Sequence, residues 1–162
     1  MALVRAAISG ITNASVNNLA NSLTSVGQSS AITVSTTGNT TDHQITVAVA
    51  LGATTPSATT MVNIFAYGSI DGTTWPGGSA TSENTVGSDV ALTLNAFGNN
   101  TVFLGTIPCH TASITIKSKP FSVAAAFGGT LPAKYVVVVQ NQSGIALAAS
   151  GHTVAAYEVS YT

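Results

Sequence analysis

From residue 31 onward apolar side chains recur at every second position, and this period constrains the fold more than any other feature of the chain. In HQITVAVAL (43–51), Ile45, Val47, Val49 and Leu51 fall on one side and Gln44, Thr46, Ala48 and Ala50 on the other. Successive side chains of a strand point to opposite faces, so the pattern reads as a strand with one face toward a core. MVNIFAYGSI (61–70) repeats it, with Val62, Ile64 and Ala66 on one face and Met61, Asn63, Phe65 and Tyr67 on the other.

Other short segments carry the same signal: AITVST (31–36), DVALTL (89–94), TVFLGTI (101–107), TASITIK (111–117), FSVAAAF (121–127), KYVVVVQN (134–141), GIALAA (144–149) and TVAAYEVSYT (153–162). Tyr135 to Val139 reads as a strand buried on both faces. Turn and breaker residues separate the segments, as in GNTTD (38–42) and ATTPSATT (53–60), and no helical pattern lies between them. Eight to ten short strands so spaced predict an all-β domain, a β-sandwich of jelly-roll-like type over 31–162. Periodicity does not carry strand order, so jelly-roll and immunoglobulin-like arrangements both remain open.

Residues 1–30 read differently. Ile8, Ile11, Val16, Leu19 and Leu23 fall near helical spacing, with Asn13 or Ser15 as an N-cap and Gly27 as a stop. A short amphipathic helix over 14–25 competes with an extended arm, because Ser, Asn and Thr fill the intervals and bond the backbone in non-helical conformations. Either form has an apolar stripe that needs a surface to cover it.

Composition bounds the partners. Charged residues are 6% of the chain, four basic and five acidic, where about 25% is usual. So weak a self-repulsion suits a protein that lives packed against neighbours. Four cations do not make a nucleic-acid groove. No apolar run approaches the roughly 20 residues of a membrane helix, so no membrane partner is expected. The start, MALVRAAISG, lacks a sustained apolar stretch, and one cysteine, Cys109, forms no internal disulfide; folding in a cytoplasm without a leader is the expectation.

The stretch YGSIDGTTWPGG (67–78) holds the single tryptophan. Asp71-Gly72 is a turn signal and Pro76-Gly77-Gly78 a second breaker. Trp75 between them reads either as a cap on the open end of the sandwich or as an aromatic anchor for a partner.

Reactive residues are sparse. Asp42-His43 and Cys109-His110 are neighbours in sequence, and in a strand neighbours point apart, so neither pair is a dyad by itself. His43, His110 and His152 match no metal-ligand spacing. Of the acids, Asp42, Asp71, Glu83, Asp89 and Glu158, no two are marked by the sequence as a catalytic pair. Sites at Asn39, Asn99 and Asn141 match the glycosylation sequon, which carries meaning only in a secreted chain. No catalytic, cofactor or metal residues are expected, and the chain does not read as an enzyme.

YGSIDGTTW (67–75), FLGTI (103–107), KYVVVVQNQSG (134–144) and AAYEVSYT (155–162) resemble segments of small β-sandwich structural proteins of tailed-bacteriophage virions, above all head decoration (cement) proteins. The matching pieces cover less than half the chain. The resemblance implies a virion part on the capsid exterior, made in the host cytoplasm. It would bridge neighbouring subunits of the major capsid protein and associate with copies of itself, a trimer being the natural guess on a capsid lattice. A tail, fibre or filament subunit and a glycan-binding module using Trp75, Tyr67 or Tyr157 are the alternatives. The candidate interface residues are Ile8, Ile11, Val16, Leu19, Leu23, Tyr67, Trp75 and Tyr157.

Overall fold

The computed structural model describes residues 2–36, 38–57, 60–76, 87–93 and 101–162. In chain order its strands are β1 (Leu3–Ile8), β2 (Ser25–Gln28), β3 (Ile32–Thr33), β4 (Thr40–Ala50), β5 (Thr60–Ser69), β6 (Leu92–Thr93), β7 (Val102–Cys109), β8 (Thr115–Lys117), β9 (Phe121–Ser122), β10 (Lys134–Gln142) and β11 (Thr153–Tyr161). They form two antiparallel sheets packed face to face. One runs β1-β11-β4-β8, with β9 also on β4; the other runs β6-β2-β10-β5-β7, with β3 also on β10.

This order settles the topology. Taken as β1, β2, β4, β5, β7, β8, β10 and β11, the principal strands stand first–eighth–third–sixth in one sheet and second–seventh–fourth–fifth in the other. That is the double Greek key of a jelly roll.

The alternation in the sequence determines which side chains meet between the sheets. Ile45, Val47 and Val49 of β4 and Val154 and Ala156 of β11 face Val62 and Ile64 of β5, Tyr135, Val137 and Val139 of β10, and Ile107 and Cys109 of β7. The outer face of the second sheet is also apolar: Val26, Tyr67, Leu92, Val136 and Val138 form a second cluster, with Ala31, Phe65 and Trp75 packed on it. Hence β10 is buried on both faces, as its run of four valines predicts.

The N-terminal thirty residues differ from expectation. No helix forms over 14–25; a single 3-10 turn stands at Ala14–Val16. The rest is drawn into the sheets, β1 pairing with β11 and β2 with β10. These are the first two strands of the jelly roll, so residue 31 is not a domain boundary. Short polar side chains decide the matter. The Ser15 hydroxyl donates to the Gln28 carbonyl (2.9 Å) and accepts from the Gln28 amide (2.8 Å). The Ser22 hydroxyl accepts from the amides of Thr24 (3.1 Å) and Ser25 (2.9 Å). Such bonds offer the backbone an alternative to helix, and Val16 and Leu19 then drop into the core.

Two other segments depart from the strand reading. FSVAAAF gives only β9 before one helical turn, α1 (Val123–Ala126), because the Ser122 hydroxyl caps it by accepting from the Ala125 amide (3.1 Å) and alanines follow. GIALAA contributes an isolated bridge, Leu147 to Leu51, in place of a strand.

Candidate assembly surface

A sheet edge presents unpaired backbone donors and acceptors, and proteins normally guard it. Among the described residues the β8 and β7 edges are guarded. The β8 edge is three residues long and ends in Lys117. The described part of β6 is Leu92–Thr93, and the residues that follow it lie outside the described ones. The β7 edge carries Pro108 and a bulge: Ile64 pairs with Gly105 and Phe65 with Phe103, which leaves Leu104 as the extra residue.

The β1 edge is longer and has neither a proline nor a bulge. It reads LVRAAI, six residues without proline or glycine, in unbroken register with β11 from Leu3–Tyr161 to Ile8–Ala156. Residues 3–7 are exposed on both faces, and Ile8 is half-buried. Arg5 is the one charge, its Nε donating to Gln44 Oε1 at 3.3 Å. On the outer face of the same sheet the register places Leu3 beside Tyr161 and Ala7 beside Tyr157. Leu3, Tyr157 and Tyr161 are each 40–46% exposed. Edge and aromatic patch are therefore continuous.

Of the residues expected at an interface, Val16, Leu19 and Tyr67 are core residues. The Tyr67 hydroxyl donates to Gln28 Oε1 (2.5 Å), and burial pushes its phenol well above the ordinary range, with a backbone hydrogen bond at Gly87 opposing. Ile8 and Ile11 are half-buried against the main core. Leu23, 72% exposed, and Tyr157 stand free on the surface. Trp75 is half-buried, its ring edge-on to Tyr67 at 5.5 Å between centroids. It closes the outer cluster of the second sheet and does not cap the gap between the sheets. Leu3 and Tyr161 were not anticipated. The alternation in YEVSYT marks the outward tyrosines, but the pairing with residues 3–8 is long-range and leaves no local trace.

The turn before Trp75 uses its polar groups internally. Asp71 Oδ1 accepts from the amides of Thr73 (2.8 Å) and Thr74 (2.6 Å) and from the Ser69 hydroxyl (2.9 Å), and Oδ2 accepts from the Thr74 hydroxyl (2.7 Å). The Thr74 hydroxyl above all, then these amides and Ser69, hold the Asp71 carboxyl far below the usual carboxylate range. Gly72 follows at φ +75°, a conformation that favours glycine. Beside the turn Ile70 is 91% exposed, next to a groove of about 440 Å³ lined by Gly68, Ile70, Asp71, Thr74, Trp75 and Pro76. Gly77, Gly78 and Glu83 lie outside the described residues.

The reactive side chains do not converge. His43 Nδ1 meets the Tyr135 hydroxyl at 2.9 Å in the core. His152 Nδ1 accepts from the Ala50 amide (3.1 Å), which leaves Nε2 as the protonated nitrogen, donating to the Ala148 carbonyl (2.9 Å). His110 is exposed. Cys109 is buried, its thiol pushed up by burial and directed at the Ile107 carbonyl. Asp42 accepts from the Ala124 amide at the start of α1 (2.9 Å), and Glu158 accepts from the Thr40 hydroxyl. Among the described residues no group of His, Cys, Asp and Glu has the geometry to hold a metal ion, and no helix is long and apolar enough to cross a membrane.

No protein-family model matches this sequence, and a search of curated proteins finds no significant match.

Proposed function

We propose that this protein is a structural subunit, without catalytic activity, that decorates and stabilises a bacteriophage capsid by bridging neighbouring capsid subunits on the particle exterior. The observation that carries the reading is the unguarded β1 edge with its aromatic flank. A protein that guards its β7 and β8 edges and leaves the β1 edge long and unpaired has a use for it. Backbone pairing at that edge joins copies of this chain, and apolar contact at the flanking patch holds them to the shell, so mechanical separation is resisted without ion pairs. The jelly-roll order adds support by analogy of fold, since viral structural domains use it, although lectin domains do too. Against a glycan site stands the Asp71 turn, whose carboxylate is already saturated by Ser69, Thr73 and Thr74.

The test is location. Antibody raised against this chain and gold-labelled on purified particles should mark the whole outer surface of the head. Labelling confined to the tail would favour the fibre alternative, and absence from particles would overturn the reading.

A further inference from the structure

The β1 edge has a definite hydrogen-bonding phase. The Ala2 amide donates to the Thr162 carbonyl (2.8 Å), and the Thr162 amide to the Ala2 carbonyl (3.1 Å), so residues 2 and 162 exchange both bonds. In an antiparallel ladder such pairs alternate with pairs that exchange none. Along the unbroken register the backbone groups of Val4, Ala6 and Ile8 therefore turn toward β11, and those of Leu3, Arg5 and Ala7 turn outward. No described residue pairs with them.

We infer that this protein forms a two-fold symmetric dimer through antiparallel pairing of β1 with β1 of a second copy, centred on Ala6. The remaining edges choose the occupant. Among the described residues, β8 offers three residues and β7 is bulged and interrupted by proline, whereas β1 matches its own equivalent in length and freedom. An edge that pairs with its own equivalent makes an isologous contact, which closes at two copies. This replaces the trimer expected from a capsid lattice, and it rests on the sheet edge alone, apart from the capsid reading.

Phase and charge then choose the register. Outward-turned residues must face outward-turned residues, which restricts the two-fold to centres on Val4, Arg5 or Ala6. A centre on Arg5 sets the two guanidinium groups directly opposite, an unfavourable like-charge pair. A centre on Val4 leaves Ala7 and Ile8 beyond β1 of the second copy. The centre on Ala6 aligns Val4 with Ile8, Arg5 with Ala7 and Ala6 with Ala6. The charges are offset, the β-branched residues face one another, and the small side chains sit at the axis.

The experiment combines sedimentation velocity with two variants of the full chain. The unmodified protein should sediment as a dimer. Ala7→Pro removes an amide that points away from β11, so it costs no hydrogen bond within the domain but blocks the second strand; it should sediment as a monomer with an unchanged circular dichroism spectrum. Ala6→Cys brings two thiols to a non-hydrogen-bonded pair with Cα atoms about 4.5 Å apart, within the span of a disulfide. It should cross-link to a dimer on mild oxidation, while Val4→Cys should not; buried Cys109 contributes no background. A monomeric unmodified protein, a dimer that survives Ala7→Pro, or cross-linking through Arg5→Cys in place of Ala6→Cys would overturn the inference. Should Ala7→Pro fail to fold, the cysteine pair decides.

Discussion

Asp89 accepts a hydrogen bond at 2.8 Å from the backbone amide of Ser15, which precedes it by 74 residues. Its second oxygen accepts from the Ala14 amide at 2.6 Å. Burial works against ionisation of this carboxyl, but the amides of Ser15 and Ala14, with the hydroxyls of Thr12 and Ser15, outweigh it and hold the pKa below its ordinary value. One side chain thus ties the loop over the second sheet to the turn that opens the core. Asp89→Ala should lower stability by about 2 kcal/mol, the usual worth of hydrogen bonds to a charged group. Because the folded pKa is depressed, this contribution is present above the unfolded pKa of about 4 and is lost as pH falls below it. Urea titrations at neutral and acidic pH read both effects; an Asp89→Ala midpoint equal to the parent's would exclude the clamp.

His43 sets a second, separate pH window. Burial lowers its pKa from the ordinary 6.5, only partly offset by Glu158, its cross-strand neighbour, and by Asp42. Nδ1 meets Tyr135, and Nε2 is buried with no hydrogen-bond partner among the described residues. The folded state holds the ring neutral, while the unfolded chain takes up a proton near pH 6.5. Stability is therefore complete above about pH 6.5 and declines as pH falls toward the folded pKa. The thermal midpoint should drop between about pH 7 and about pH 5, and His43→Gln should flatten that slope. An equally steep slope in His43→Gln would assign it elsewhere.

Gly87 lies against Trp75. A Cβ there would stand 2.2 Å from Trp75 Cζ2, and the backbone φ is +66°. Gly87→Ala should push the indole off the second cluster at a cost of roughly 1–3 kcal/mol. Trp75 is the single tryptophan, so its fluorescence reports the displacement directly: a red shift is expected, and an unshifted spectrum would mean the ring does not depend on Gly87.

Leu19 and Leu23 lie close in sequence but differ in burial, 7% against 72% exposed. Leu19→Ala should cost about 2–5 kcal/mol, the range for a core leucine. Leu23→Ala should stay within about 0.5 kcal/mol. Equal losses would mean that both side chains belong to the core.

This pair also shows what was legible in the sequence. Where a strand buries one face, period-two alternation names its inward residues, and Ile45, Val47, Val49, Val62 and Ile64 are all in the core as read. Tyr135 to Val139, a continuous apolar run and not an alternation, are buried on both faces as such a run implies. Residues 1–30 resisted that reading. Among its described residues only Val16, Leu19 and Val26 are buried apolar side chains, too few to define a period, and β1 is exposed because it lies at an edge. The pairing of Leu3 with Tyr161 depends on the path of the whole chain, and so does the bareness of the β1 edge, since an edge exists only once strand order is known.

The central claim is that nearly neutral surfaces, the β1 edge between copies and the aromatic patch beside it, carry this protein's assembly on a larger shell. With four basic and five acidic side chains in the whole chain, backbone pairing, apolar contact and neutral hydrogen bonds must supply the affinity. Raising ionic strength from about 0.1 M to about 1 M shortens the Debye length from about 10 Å to about 3 Å, which weakens exposed charge pairs and leaves such contacts in place. The direct measurement is the number of copies retained on purified particles washed in sodium chloride from about 0.05 M to about 1 M. The account predicts a constant copy number across the series. Loss of the protein at high salt with its fold intact, or its absence from particles at every salt concentration, would contradict it.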